Sequence, residues 1–257
     1  MQQFISVFGL KLPVYGLMIL LGIFLANLIV ILLRKKLELD MDNVILLEVY
    51  LLVGVFLGSK LLYLLVSIND IDWSRIFEPE YAKALLSGGF VFYGGLIGGL
   101  LLMLLAGKLH KIPAGEYLRK LIFLAPFGHA FGRIGCFFGG CCFGIPYHGV
   151  CSVVYPDDPD VPAPPGIPLF PVQLLESACL FAISFLVFLV GRKTNWLYTI
   201  ETYFALYGVA RFLLEFLRFD AYRGIYGGLS TSQWVSLALI AFAIVLFLYH
   251  KRRARAR

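Results

Sequence analysis

VYGLMILLGIFLANLIVILL, the stretch Val14–Leu33, runs straight into Arg34, Lys35 and Lys36, and its reading decides the fold. No charged side chain interrupts it. Coiled at about 1.5 Å per residue, it matches the roughly 30 Å hydrocarbon thickness of a bilayer, where a helix satisfies all its own backbone groups. The basic triplet behind it marks a cytoplasmic end, because Lys and Arg resist translocation.

Outward from this first span, placed at about 13–33, comparable apolar runs fall at about 44–68, 89–107, 117–138, 171–191, 196–218 and 231–249. Of the 257 residues 60% are hydrophobic and 15% charged, far more apolar than one water-soluble core requires. The expectation is a single integral membrane domain over residues 1–257, an all-α membrane protein of about seven transmembrane helices. Met1–Lys11 lacks the basic start and cleavage site of a removable signal, so the first span is read as retained.

Basic residues cluster at Arg34–Lys36, at Lys108, Lys111, Arg119 and Lys120, at Arg192 and Lys193, and from Lys251 to Arg257. All these clusters fall on one side of the predicted spans. The opposite connections carry Arg75, Lys83 and Arg223. The N-terminus is therefore expected outside and the C-terminus in the cytoplasm. A net charge of +6 distributed this way sets topology and does not call for nucleic acid. The longest outer connection, about 144–170, is rich in proline and holds Asp157, Asp158 and Asp160, so it is read as irregular and solvated. The segment about 70–86, with Trp73 and Tyr81, reads as an amphipathic arm along the outer interface.

Charges inside spans need a reason, since each costs about 2.5–3.5 kcal/mol at a helix centre. Glu48, Lys60 and Glu201 can be explained as fasteners between helices. In Tyr207-Gly-Val-Ala-Arg211-Phe-Leu-Leu-Glu215-Phe-Leu-Arg218 the four-residue spacing puts Tyr207, Arg211 and Glu215 on one stripe. Glu215 can pair with Arg211 or with Arg218, and the other guanidinium then suits an anion, best a phosphate. A second stretch, Gly128 to Gly144, has glycine also at 132, 135, 139 and 140 around Arg133. Backbone N–H groups released there would add to an anion site. The glycine run Ser87–Gly99 suits tight helix packing better than ligand binding.

These stretches together resemble the phosphatidylglycerol–prolipoprotein diacylglyceryl transferase family. The similarity is carried by Val14-Tyr15-Gly16-Leu17, by Phe92-Tyr93-Gly94-Gly95-Leu96-Ile97-Gly98, by Gly132-Arg133-Ile134-Gly135 with Gly144, by Pro171-Val-Gln173-Leu-Leu-Glu176, and by Tyr207-Gly208 through Arg211, Glu215 and Arg218. The resemblance implies a bacterial cytoplasmic (inner) membrane enzyme without cofactor. Its partners would be phosphatidylglycerol, other membrane lipids and the lipobox segment of a prolipoprotein signal peptide. Arg133 and Arg211 would hold the headgroup phosphate, Glu215 would orient an arginine, Tyr15 and Tyr207 would line the cavity, and Gly144 would shape its edge. Gly94, Gly95, Arg218 and Cys136 would stand beside the substrate.

Two departures from the family pattern bear on the chemistry. Tyr93 stands where many members have histidine, and a phenol of pKa about 10 is a poor base near neutrality. Cys136 replaces an asparagine, and Cys141 an acidic residue. His129, four residues before Arg133, is a candidate for the missing imidazole. A transporter, or a lipid-binding paralogue without catalysis, would use the same arginines. Cys136, Cys141, Cys142 and Cys151 bunch at the outer end of the fourth span, where Cys151 can bridge to Cys141 or Cys142. Their spacing fits no common zinc pattern, so no metal is expected. Cys179 reads as a small core residue.

Overall fold

The computed structural model describes residues 4–7, 10–219 and 224–255; Arg223, Arg257 and five residues of Met1–Lys11 (1–3, 8 and 9) lie outside them. Nine α-helices account for most of the described chain. They are α1 (Val14–Leu33), α2 (Met41–Val66), α3 (Pro79–Ser87), α4 (Phe92–Leu109), α5 (Ala114–Leu121), α6 (Leu124–Phe138), α7 (Val172–Thr194), α8 (Thr199–Leu214) and α9 (Thr231–Arg255). The described chain is mostly helical, as expected of an all-α membrane protein, with three short antiparallel strand pairs outside the helices. α1, α2, α4, α7 and α9 are long and apolar enough to cross a membrane, and α5 with α6 make a sixth candidate broken by a short gap. The protein is a multi-pass membrane protein with lipid-facing leucine and phenylalanine along these helices, such as Leu20, Phe24 and Leu32.

The helices divide into two compact units, residues 33–118 and residues 1–32 with 119–257. In the first, α2 and α4 pack through two facing small-residue motifs. A side chain at Gly54 would strike the Gly98 backbone, and one at Gly58 the backbone of Gly94. Two backbones can come this close only where Cβ is missing at both surfaces. Gly95, buried against Val55 and Ser59, belongs to the same seam, so the glycine run is used for packing. Lys60 fastens α3: its Nζ donates to the carbonyls of Leu85 and Gly88 at the C-terminal end of that helix. It thereby satisfies acceptors that the helix leaves unmade, and it also faces the rings of Tyr63 and Phe90.

In the second unit α7 is the central post. Its Ser177 and Ser184 hydroxyls donate to the carbonyls of Ala130 and Phe123 at 3.0 and 2.8 Å, tying it to α6 and to the residue before α6. α9 packs on α8 where Gly208 meets Ser236 and Ile240. Glu201 is a fastener as expected: its carboxylate pairs with His250 of α9, whose Nε2 lies 2.9 Å from a terminal nitrogen of Arg119.

The outer connection is less open than its prolines suggest. Asp157, Asp158 and Asp160 are exposed, but Phe143, Tyr155, Val161, Ala163 and Leu169 close a small hydrophobic core beneath them. Tyr155 forms a bridge with Pro165 across the connection, and its hydroxyl donates to the Phe137 carbonyl at 3.2 Å. No disulfide pins this loop; all five cysteines are free and Cys151 is exposed.

Candidate active site

α6 carries two residues of the site one turn apart, His129 and Arg133. The Arg133 Nε lies 3.1 Å from the Glu176 Oε1 on α7, and it donates to the His129 Nε2 at 3.3 Å. With that nitrogen accepting, the neutral ring carries its proton on Nδ1 and keeps no spare lone pair. His129 thus supports the guanidinium in this arrangement and offers no basic nitrogen. Its ring also meets the Tyr207 ring edge-on, centroids 5.6 Å apart.

On α8 the Arg211 guanidinium spans two partners. One terminal nitrogen lies 2.9 Å from the Glu215 Oε2 and the other donates to the Ser232 hydroxyl of α9 at 2.9 Å. Both ion pairs are shielded, with side-chain exposures of 13% and 3% for Arg133 and Glu176 and of 10% and 3% for Arg211 and Glu215. Removing one partner from such a pair strands a buried charge at a cost of about 3–5 kcal/mol. Glu176 of one pair and Arg211 of the other lie, with Tyr207 and Leu214, along the same packing gap, which is too tight to admit water.

After α8 the chain tightens into a short 3₁₀ turn, Glu215–Leu217, and then pairs with the segment following α6. Gly144 and Arg218 form an antiparallel bridge, flanked by hydrogen bonds from Ile145 N to Leu217 O and from Phe219 N to Phe143 O. A Cβ at Gly144 would collide with the carbonyls of Phe170 and Leu217, which explains why glycine stands at this edge. Arg218 comes within electrostatic reach of Arg133. Tyr15, in the first turn of α1, packs on Gly135 and reaches the field of Arg133.

Tyr15, His129, Arg133, Cys136, Gly144, Tyr207, Arg211, Glu215 and Arg218 therefore all belong to the larger unit. Tyr93, Gly94 and Gly95 belong to the 33–118 unit, where Tyr93 is half exposed in the first turn of α4. Sequence reasoning assigned no task to Glu176 or Ser232. Glu176 had a signal, being a carboxylate inside a span; Ser232 had none. Two of the site's arginines, Arg133 and Arg211, are shielded and paired with glutamates, and Arg218 lies within electrostatic reach of Arg133.

The fold and the candidate site define an integral membrane protein that holds two shielded arginine–glutamate pairs among its helices. Residues 2–249 match the family described as prolipoprotein diacylglyceryl transferase, and the chain belongs to that family. A phosphatidylglycerol–prolipoprotein diacylglyceryl transferase of Clostridium tetani is 36% identical over 243 residues, covering 94% of each chain. One of Clostridium perfringens is 32% identical over 252 residues, 97% of this chain and 95% of that relative. Another, of Dehalococcoides mccartyi, is 28% identical over 254 residues.

Proposed function

We propose that the chain transfers the diacylglyceryl group of phosphatidylglycerol to the cysteine thiol of a prolipoprotein lipobox. The observation that carries this reading is the pair of shielded guanidinium groups, Arg133 and Arg211, each held in place by a glutamate, where a phosphodiester anion can be gripped by charge-assisted hydrogen bonds. The thiol sulfur attacks the glycerol carbon that bears the phosphate, a carbon–sulfur bond forms, and the carbon–oxygen bond breaks. Glycerol phosphate departs with the electron pair. Arg133 and Arg211 hold the phosphate and stabilise the charge that grows on it, which is where fixed positive groups accelerate a reaction most. Glu176 and His129 keep Arg133 aimed, and Glu215 with Ser232 does so for Arg211. Tyr15, Tyr207, Arg218 and Gly144 border the bound headgroup.

We place the site in the cytoplasmic membrane of a bacterium, in a chain that crosses it seven times with the N-terminus outside. Support comes from the helical run Thr199–Leu217, which approaches spanning length once the 3₁₀ turn is added to α8. Together with the five long helices and the α5–α6 pair it makes the seventh. The basic clusters put the C-terminus in the cytoplasm, and the arm 70–86, with exposed Trp73, Phe77 and Leu86, lies along the outer interface.

Purified protein in nanodiscs, given labelled phosphatidylglycerol and a lipobox peptide, tests the reading. Label is expected on the peptide thiol; retention of lipid without any transfer would overturn it.

A further inference from the structure

The reaction needs a thiolate, and the imidazole beside the arginines, His129, has its Nε2 lone pair committed to Arg133. A different group of atoms meets that need. Cys136 ends the α6 face that carries Arg133, and the chain then turns through Gly140, at φ +66°, and Cys142, at φ +57°. The turn folds the Cys141 and Cys142 side chains back on Cys136. All three sulfur atoms lie within 4.8 Å of one another.

Zinc held by thiolates at about 2.3 Å brings sulfurs to about 3.8 Å in a tetrahedron, so closing the trio takes about 1 Å of movement. The backbone that presents it is fixed from behind. Gln173 of α7 donates to the Cys141 carbonyl at 2.8 Å, and Cys141 N donates to the Cys136 carbonyl at 3.2 Å. Tyr155 and Val161 pack on Gly140. The guanidinium groups of Arg133 and Arg218 lie within electrostatic reach of Cys142, which offsets the excess negative charge of three thiolates on a divalent ion. Cys141 and Cys142 are only partly buried, which leaves the cluster reachable from their side. Three protein ligands and an open fourth position are the pattern of a reactive zinc site, and a thiol that binds such an ion loses its proton.

We propose that Cys136, Cys141 and Cys142 bind one zinc ion whose fourth position takes the acceptor thiol beside the phosphate clamp. This rests on the transferase reading above. The incoming thiol gives its proton to water as it binds. Its metal-held sulfur then attacks the glycerol carbon, the carbon–oxygen bond breaks toward the arginine-bound phosphate, and the resulting thioether, a weak ligand, leaves the metal.

The test uses the full chain in nanodiscs under reducing conditions. Zinc is expected at one equivalent. Cys136→Ser and Cys142→Ser, shown to melt like the wild type, should lower zinc affinity by more than the 10–100-fold typical of losing an outer-shell partner. Cobalt in place of zinc should show a thiolate charge-transfer band that shifts with a lipobox peptide and not with its Cys→Ser analogue. Removing metal with a chelator should stop label transfer, and added zinc should restore it. Stoichiometric zinc and a peptide-dependent cobalt shift without any transfer would support the site while sinking the transferase reading. Transfer that persists in the chelated protein, or sub-stoichiometric zinc in the wild type, would overturn the zinc site and leave the transferase reading standing.

Discussion

The Nε of Arg133 on α6 lies 3.1 Å from the Oε1 of Glu176 on α7, and both side chains are largely shielded from solvent. Two helices are thereby joined at the point where a guanidinium must be held still. Glu176→Gln keeps the shape and removes the charge. The expected outcome is a loss of up to about 3–5 kcal/mol in stability, read as a lower melting temperature in detergent. Misaiming Arg133 should also slow transfer by roughly 10²-fold.

Arg211 is predicted not to tolerate lysine. Its two terminal nitrogens reach Glu215 and Ser232 at once, each at 2.9 Å, and an ammonium cannot span both partners. Arg211→Lys should reduce transfer by about 10–100-fold, equivalent to losing a charged hydrogen bond of about 1.5–3 kcal/mol. Ser232→Ala should cost less. Initial rates at saturating lipid would rank the two.

Long apolar runs announce helices because a bilayer admits little else, and so α1, α2, α4, α7 and α9 are visible in the sequence as lengths of chain. The end of α8 is not, since hydropathy does not register the shift into a 3₁₀ turn at Glu215. Nor does spacing along the chain reveal partners on different helices. Arg211 and Glu215 are one turn apart and their pairing is readable, whereas Arg133 with Glu176 depends on how α6 meets α7. The core under the outer connection was hidden for a related reason: Tyr155, Val161, Ala163 and Leu169 follow no period, and the prolines among them suggest open chain. The three sulfurs meet through two left-handed residues that no ligand-spacing pattern anticipates.

Gly144→Ala should damage the site without touching a charged group. Its new methyl would press on the carbonyls of Phe170 and Leu217 and push apart the bridge that carries Arg218. Overpacking of this kind costs about 1–3 kcal/mol. Reduced affinity for phosphatidylglycerol, measured by lipid retention on purification, is the expected sign; wild-type retention would show that the Arg218 strand is not set by Gly144.

Tyr155 gives the outer connection a pH dependence. Burial, the largest influence, pushes its phenol up to about 12 from the ordinary value of 10.0. The folded state therefore holds this proton more tightly than the unfolded state. Its contribution is complete below pH 10 and is lost as the pH rises toward 12. Limited proteolysis of the 144–170 connection should accelerate across that window, and Tyr155→Phe should remove the dependence.

The most direct measurement of the phosphate clamp is a matched count of both products. Wild-type protein supplied with phosphatidylglycerol and a lipobox peptide should release one glycerol phosphate for each diacylglyceryl thioether formed, as read by mass spectrometry. Arg133→Ala and Arg211→Ala should each lower both yields together by about 10²–10³-fold. Thioether formation at the wild-type rate in either variant would contradict the assignment of that arginine to the phosphate.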